Sequence, residues 1–250
     1  ITRAQDGTTA LAFVTGDKVE LRLVNAGLQD MQFGRLLNVQ IFTTPGSATY
    51  TPTQGVVKCL VRGVAGGGAG QPATASGTTG QVGGGGGAGA YAEVLFTAAQ
   101  IGASQSLVVG AGGVSGGTAA SNSTFGTMIT LPAGKLGSTQ TAAGASGVGF
   151  GGAIDVSTSI TTGTQITATA AAAGSAGFWT SATFGVSGAG ASSPLGGGGG
   201  GRAAVSANGY QGFDGSGYGS GGGGGLALSV TGTNYGGNGG NGCWIIYEYA

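Results

Sequence analysis

The residues able to do chemistry in this 250-residue chain are few, and one type is missing. There is no histidine, so neither a Ser-His-Asp nor a Cys-His nucleophilic arrangement can be assembled. Beyond Arg62 the acids are Glu93, Asp155, Asp214 and Glu248. Glycoside cleavage needs two carboxyl groups roughly 5–9.5 Å apart. Glu93 and Glu248 fall in strand-like runs and read as solvated or sheet-edge residues, which leaves Asp155 with Asp214 as the one pair to consider. The single Gly-Lys, Gly134-Lys135, is followed by Leu136, so no phosphate loop of the Gly-Lys-Ser/Thr type is present. The acids are too sparse for a calcium cage. Cys59 and Cys243 lack the spacing and the histidine partners of a zinc site. Each cysteine lies in an apolar run, VVKCLV and GCWIIYEY, and two readings stay open: buried reduced thiols, or a disulfide clamping the first and last strands. The chain is therefore read as non-catalytic, with no metal and no cofactor.

What remains is binding chemistry. Aromatic rings offer large contact area at low entropic cost, and Gly, Ser and Asn neighbours adapt around them. Phe178, Trp179, Phe184, Tyr210, Phe213, Tyr218 and Tyr235 sit in such surroundings and are the candidate receptor-contacting residues. The competing reading makes these rings a small apolar core. Trp244, Tyr247 and Tyr249 belong to the closing apolar run and read as structural.

These rings must be displayed by elements with little side-chain material. Glycine supplies 61 residues, in blocks at Gly83–Gly87, Gly196–Gly201, Gly221–Gly225 and Gly236–Gly242. A glycine run buries no side chain and loses much backbone freedom on ordering. Either the blocks are loops, or bare backbones pack closely and bond to one another. A three-residue-per-turn polyproline-II-type helix leaves its N–H and C=O groups pointing outward, so neighbouring polyglycine strands can supply partners. A strict Gly-X-Y period and abundant proline, the marks of collagen, are absent.

Between the blocks the pattern is that of strands. Val56–Val64, Ala90–Phe96, Ser106–Val109, Ser123–Leu131, Gln165–Thr169 and Cys243–Tyr249 are expected to be extended, and no 3.6-residue period persists. Residues 154–195 form a long insert rich in Thr, Ser and Ala, with shorter inserts at 202–220 and 226–235. Residues 1–57 look different: ten of the sixteen charged residues lie before Gly63. Val19–Leu23 and Leu37–Ile41 alternate as half-buried strands do. This part reads as a small β neck or attachment region, too small to fold without oligomerising, and 58–250 as a glycine-rich tip domain. Ile1 in place of Met reads as a cut within a longer chain.

Charge and hydropathy narrow the partners. Net charge is zero with only 6% charged residues, so there is no basic surface for nucleic acid. No 18-residue apolar run exists to form a transmembrane helix, and the chain is read as not membrane-inserted. The lack of charge favours a neutral target surface.

The order of the segments carries more than their composition. GVAGGGAG (Gly63–Gly70) is followed by GGGGGAGAYAEVLF (Gly83–Phe96), SLVVGAGG (Ser106–Gly113), SNSTFG (Ser121–Gly126) and a closing NGGNGCWIIYEYA. From about Gly55 to Ala250 this resembles the glycine-rich C-terminal domain of bacteriophage tail-fibre and receptor-binding adhesin proteins. The resemblance implies an all-β, glycine-rich, β-sandwich-like domain with packed polyglycine-II helices and little or no α-helix. It also implies a homotrimeric fibre tip, joined to the rest of the tail fibre on its N-terminal side. Such a tip sits at the distal end of the virion's fibre and binds a bacterial surface receptor (an outer-membrane protein, a pilus or a glycan). Two other readings stand beside it: a rigid shaft or spacer with recognition elsewhere, and an ice-binding protein displaying its threonines.

Overall fold

The computed structural model describes residues 34–139, 146–155 and 157–250. The expected strand at Val19–Leu23 lies outside the described residues. Two five-stranded antiparallel sheets form the base. In the larger, the strands run Leu36–Phe42, Cys243–Tyr249, Lys58–Val64, Tyr91–Thr97, Thr164–Thr169; in the smaller, Ser159–Ile160, Ile129–Leu131, Ser123–Phe125, Gln105–Val109, Gly46–Tyr50. Alternation turns Cys59, Val61, Val94, Phe96, Trp244 and Ile246 inward against Tyr50, Leu107, Val109, Phe125, Ile129 and Leu131, as a two-layer sandwich requires. Phe125 is the hub: its ring centroid lies 5.9 Å from Tyr50, 5.9 Å from Phe96 and 5.7 Å from Trp244. Trp244 lies over Gly63, where a Cβ would come within 2.1 Å of the indole, and its Nε1 donates to Val108 O across the sandwich.

The expected strands are present with two corrections. Ser123–Leu131 is a hairpin rather than one strand, because Gly126 (φ 52°) turns the chain and Met128 N bonds back to Phe125 O. The strand expected from Val56 starts at Lys58, since Val56 N closes a turn onto Thr53 O. Among the described residues the α-helix is confined to one turn, Ala98–Ile101, capped reciprocally by Thr97 and Gln100 as a capping box is. The neck boundary at 57/58 falls between strands of these sheets: Leu36–Phe42 pairs with Cys243–Tyr249, and Gly46–Tyr50 with Gln105–Val109.

Above the sandwich the strands run on into glycine. The segment 83–90 shows how. The N–H groups of Gly83, Gly86 and Gly89 bond to the carbonyls of Gly225, Gly222 and Gly219. Those of Gly84, Gly87 and Ala90 bond to Ser138, Lys135 and Pro132; those of Gly85 and Ala88 bond to Ser175 and Ala172, all at 2.8–3.1 Å. Every third residue faces the same neighbour, and the neighbour steps by three in return. That is the period of a polyproline-II-type helix, and among these residues it is a polyglycine-II helix. Its carbonyls receive bonds from three further segments: Gly188 and Ala191, then Gln71, Gly68 and Ala65, then Gly152. One helix thus has six neighbours, and every N–H and most of the carbonyls that a coil would leave unsatisfied are paired. Segments 65–71 and 219–225 bond in the same three-residue step.

The lattice also explains why the residues are glycine. None of the positive-φ glycines falls in the four blocks, so conformational freedom is not what the blocks use. Space is: a Cβ on Gly86 would lie 2.1 Å from Gly68 O, on Gly223 2.1 Å from Gly200 O, and on Gly84 1.8 Å from Phe150 O. At about 3.1 Å per residue, the 83–90 helix makes a stem roughly 25 Å long.

The stem ends in small sheets. Gly147–Gly149, Gly177–Ser181, Phe184–Val186 and Ala203–Ala204 form one; Asn208–Tyr210, Leu226–Leu228 and Gly80–Val82 another; Ala73–Ser76 pairs with Thr231–Asn234. A second core of Val82, Trp179, Ala204, Leu226 and Leu228 closes this tip. Gly34 N bonds to Ala250 O, at the far end of the sandwich. Gly34 and Ala250 therefore lie together at the base, with the tip at the opposite end of the stem.

Candidate functional site

The tip sheet is built by alternation. Register aligns Val148 with Phe178, Phe178 with Val186, and Val186 with Ala203, across all four strands. The residues between them, Trp179, Gly185 and Ala204, are buried in the tip core. The outward row is therefore apolar: Phe178 is 46% exposed, and Val148 and Ala203 are exposed with it. Phe184 stands beside Phe178, ring centroids 6.5 Å apart, and is also exposed. Phe178 and Phe184 are thus brought together on one surface. Trp179 is a correction. It is 2% exposed and lies against Gly80, Gly147 and Gly185, where any Cβ would come within 3.0 Å of its side chain. It belongs to the core reading and presents nothing to a receptor.

A second group surrounds Arg202. The guanidinium carbon lies 3.7 Å from the Phe213 ring centroid and 5.8 Å from that of Tyr210, and Nε donates to Gln211 O at 2.9 Å. Phe213 and Tyr235 then line an open groove of about 490 Å³ with Ser115, Gln211, Gly212, Asp214, Gly236 and Asn238. All three candidate rings, Tyr210, Phe213 and Tyr235, are exposed. Arg202, which no sequence motif singles out, is the residue that organises Tyr210 and Phe213. Tyr218 stands apart. Its N–H bonds to Leu195 O, and the next residue, Gly219, accepts from Gly89 at the foot of the stem. Tyr218 is exposed but shares no surface with the tip rings.

The acids are dispersed. Asp155 pairs with Lys135 at 3.2 Å and accepts from Ser157. The Ser157 hydroxyl and amide, then Lys135, hold its carboxyl below the usual value. Asp214 accepts from Asn238 N at 2.6 Å on the groove wall. Glu93 pairs with Arg62 at 3.1 Å on the outer face of the large sheet. Glu248 is not at a solvated edge as expected: it is fully buried. The edge is taken by Leu36–Phe42, which pairs outside the closing strand. Its carboxylate accepts from Tyr50 (2.7 Å), Gln40 (3.2 Å), and Thr53 N (2.9 Å) and Oγ1 (2.6 Å). Burial raises its pKa, but these hydrogen bonds outweigh burial, and the net shift is downward. The cysteines are free and buried. Register sets Cys59 opposite Glu248 and Cys243 opposite Val64, five residues apart along the pair. That is roughly 16 Å at a strand's rise, beyond the reach of a disulfide. Among the described residues no group of three or more His, Cys, Asp or Glu converges, and no helix is long and apolar enough to cross a membrane.

An all-β, glycine-latticed domain with a displayed apolar tip is the class these features define. A family model described as a glycine-rich domain matches residues 43–249, and the chain belongs to that family. A search of curated proteins finds no match.

Proposed function

We propose that this domain is the receptor-binding tip of a bacteriophage tail fibre, acting outside the bacterial host cell without catalysing a reaction. The carrying observation is the apolar row Val148–Phe178–Val186–Ala203 with Phe184, exposed at the end of the stem opposite Gly34 and Ala250. Exposed apolar surface that is not dispersed marks an interaction site. A polyglycine stem holds it rigidly, so little ordering entropy is lost on binding. A spacer has no need of displayed apolar rings, whereas here Phe178 and Phe184 stand exposed side by side. The ordered segments resemble those of tail-fibre adhesins, which supports a place at the distal end of the virion's fibre, with the remainder of the fibre on the base side.

The same reading includes a homotrimer. On the outer face of the large sheet, Leu36, Val39 and Ile41 are exposed, and Ile245, Tyr247, Leu60 and Leu95 are partly so. Register sets Ile41 beside Ile245, and Val39, Tyr247, Leu60 and Leu95 in one row. Such a face is suited to self-association.

The test is adhesion of the labelled full chain to a panel of bacteria of differing surface type, with competition against phage adsorption. The expected result is saturable binding to some strains, reduced at least tenfold by Phe178→Ser with Phe184→Ser at unchanged thermal stability. Binding to none of the strains, or equal binding by the double variant, overturns the reading.

A further inference from the structure

We infer that the groove between Phe213 and Tyr235 is a carbohydrate site, and that the receptor this tip engages carries a neutral, hydroxyl-rich glycan. The inference rests on the adhesin reading for its biological setting but stands on the groove's own chemistry.

The groove lies between two lattice rails. Gly212 N bonds to Tyr235 O and Gly215 N to Asn238 O, a three-residue step on both sides, while Phe213 N bonds to Gly200 O and Phe213 O accepts from Gly223 N. The walls are therefore fixed by backbone bonds and not by mobile loops. Ser115 closes one side: its N–H donates to Asn238 Oδ1 and its hydroxyl to Gly70 O. The Tyr235 ring rests on Gly116, where a Cβ would come within 2.8 Å of Cε1. Arg202 fixes the Phe213 ring through its stacked guanidinium. The site is preorganised, which lowers the cost of binding, and its volume is within the range that holds small ligands.

The chemistry on these walls selects the ligand class. The Tyr235 ring provides a face with negative potential, suited to the slightly positive C–H faces of a pyranose, and Phe213, stacked on Arg202, adds apolar surface to the lining. Between them lie polar groups with free capacity. Asp214 uses one oxygen, Oδ1, on Asn238 N, which leaves Oδ2. The Gln211 side chain, the Asn238 side-chain NH₂ and the Tyr235 hydroxyl have no hydrogen-bond partner among the described residues. A carboxylate and two amides can accept and donate to adjacent sugar hydroxyls at once. A hydrocarbon or an apolar peptide side chain would leave these groups unpaired at a cost. Asp214 is the only charged residue on the groove's lining and the Arg202 guanidinium is stacked on Phe213, so the lining itself offers no cation to pair with an acidic sugar and favours a neutral one.

The labelled full chain is applied to an array of neutral and acidic oligosaccharides, and in parallel to adhering bacteria treated with periodate or with protease. The expected result is retention on neutral sugars, at least tenfold weaker for Asp214→Asn and for Tyr235→Ala. Gln211→Ala removes an exposed side chain that makes no hydrogen bond among the described residues, and an unchanged melting temperature would separate its weaker retention from misfolding. Periodate is expected to reduce cell adhesion by the wild-type chain to the level of Asp214→Asn. Retention of no sugar, or equal retention by all three variants, overturns the inference. Cell adhesion that survives periodate and is lost with protease also overturns it, while leaving the adhesin reading in place. Sugar binding with no cell adhesion does the reverse: the groove stands and the adhesin reading falls.

Discussion

Tyr50 donates to Glu248 at 2.7 Å inside the sandwich, joining a strand of the smaller sheet to the closing strand of the larger. The Tyr50 hydroxyl also contacts Cys59 Sγ at 3.2 Å, and burial with these partners pushes the phenol far above its ordinary value. Tyr50 therefore stays a neutral donor, and Glu248 is held as the anion. This pair predicts an acid limit. Because the folded pKa of Glu248 lies below the ordinary 4.5, its contribution is fully present above that value. It is lost as pH falls through the lower folded pKa. Thermal melts of wild type and Glu248→Gln from pH 7 to pH 2 should differ most above pH 4.5 and converge at the acid end. A constant gap across that range would show that ionisation of Glu248 is not the source. Tyr50→Phe should cost about 1–3 kcal/mol in denaturant unfolding, as hydrogen bonds to buried charges do.

The lattice predicts a sharp division among glycines. Gly86→Ala places a methyl 2.1 Å from Gly68 O, and Gly223→Ala places one 2.1 Å from Gly200 O. These are backbone atoms held by their own hydrogen bonds, so relief requires two helices to separate. Each substitution should destabilise by more than about 3 kcal/mol or prevent folding, beyond the usual cost of overpacking. Gly117→Ala meets only Val114 side-chain atoms and backbone at 3.4 Å or more and should change stability by less than about 0.5 kcal/mol. Denaturant melts on the three variants decide. Amide exchange adds an independent check: Gly85, Gly86 and Gly87, with no side chains to cover them, should still exchange slowly.

Much of this fold is legible in the residue order, and the failures are instructive. Cys243–Tyr249 is found to the residue because its alternation is uninterrupted. The hairpin at Gly126 is hidden because Thr127 and Met128 continue the strand-like composition through the turn. The glycine blocks announce close packing but not their partners, since Gly86 bonds Gly222 across more than a hundred residues. Glu248 looks like an edge residue until Leu36–Phe42 is known to pair outside it. At the tip, alternation dictates that Phe178 and Trp179 face opposite ways. Which of them faces inward depends on Leu226 and Leu228, far along the chain, and no local pattern reveals that.

Trp179 should accordingly act on stability and not on adhesion. Its indole fills the tip core against Val82, Leu226 and Leu228, so Trp179→Ala should cost about 3–5 kcal/mol. Its Nε1 is buried without a partner among the described residues, a penalty that Trp179→Phe removes along with some packing. Trp179→Phe should therefore cost less than half as much as the alanine variant, and its folded fraction should adhere to cells as wild type does. Weaker adhesion at full folding would return Trp179 to the receptor surface.

The cysteines give the last prediction. Burial pushes Cys243 up to about 12. Cys59 is also raised: burial outweighs the hydrogen bond with Tyr50, and Glu248 adds to it. The thiolate is the reactive form, so native protein at pH 8 should incorporate no iodoacetamide at either position within hours, and both should label at once in denaturant. With the two sulfurs at opposite ends of the same strand pair, reductant should leave the melting temperature unchanged. A drop of several degrees on reduction would require a bond between them and hence a different register of Cys243–Tyr249 on Lys58–Val64. Mass spectrometry of the alkylated, unreduced chain separates the two outcomes, since a bonded pair would shield both thiols even after unfolding.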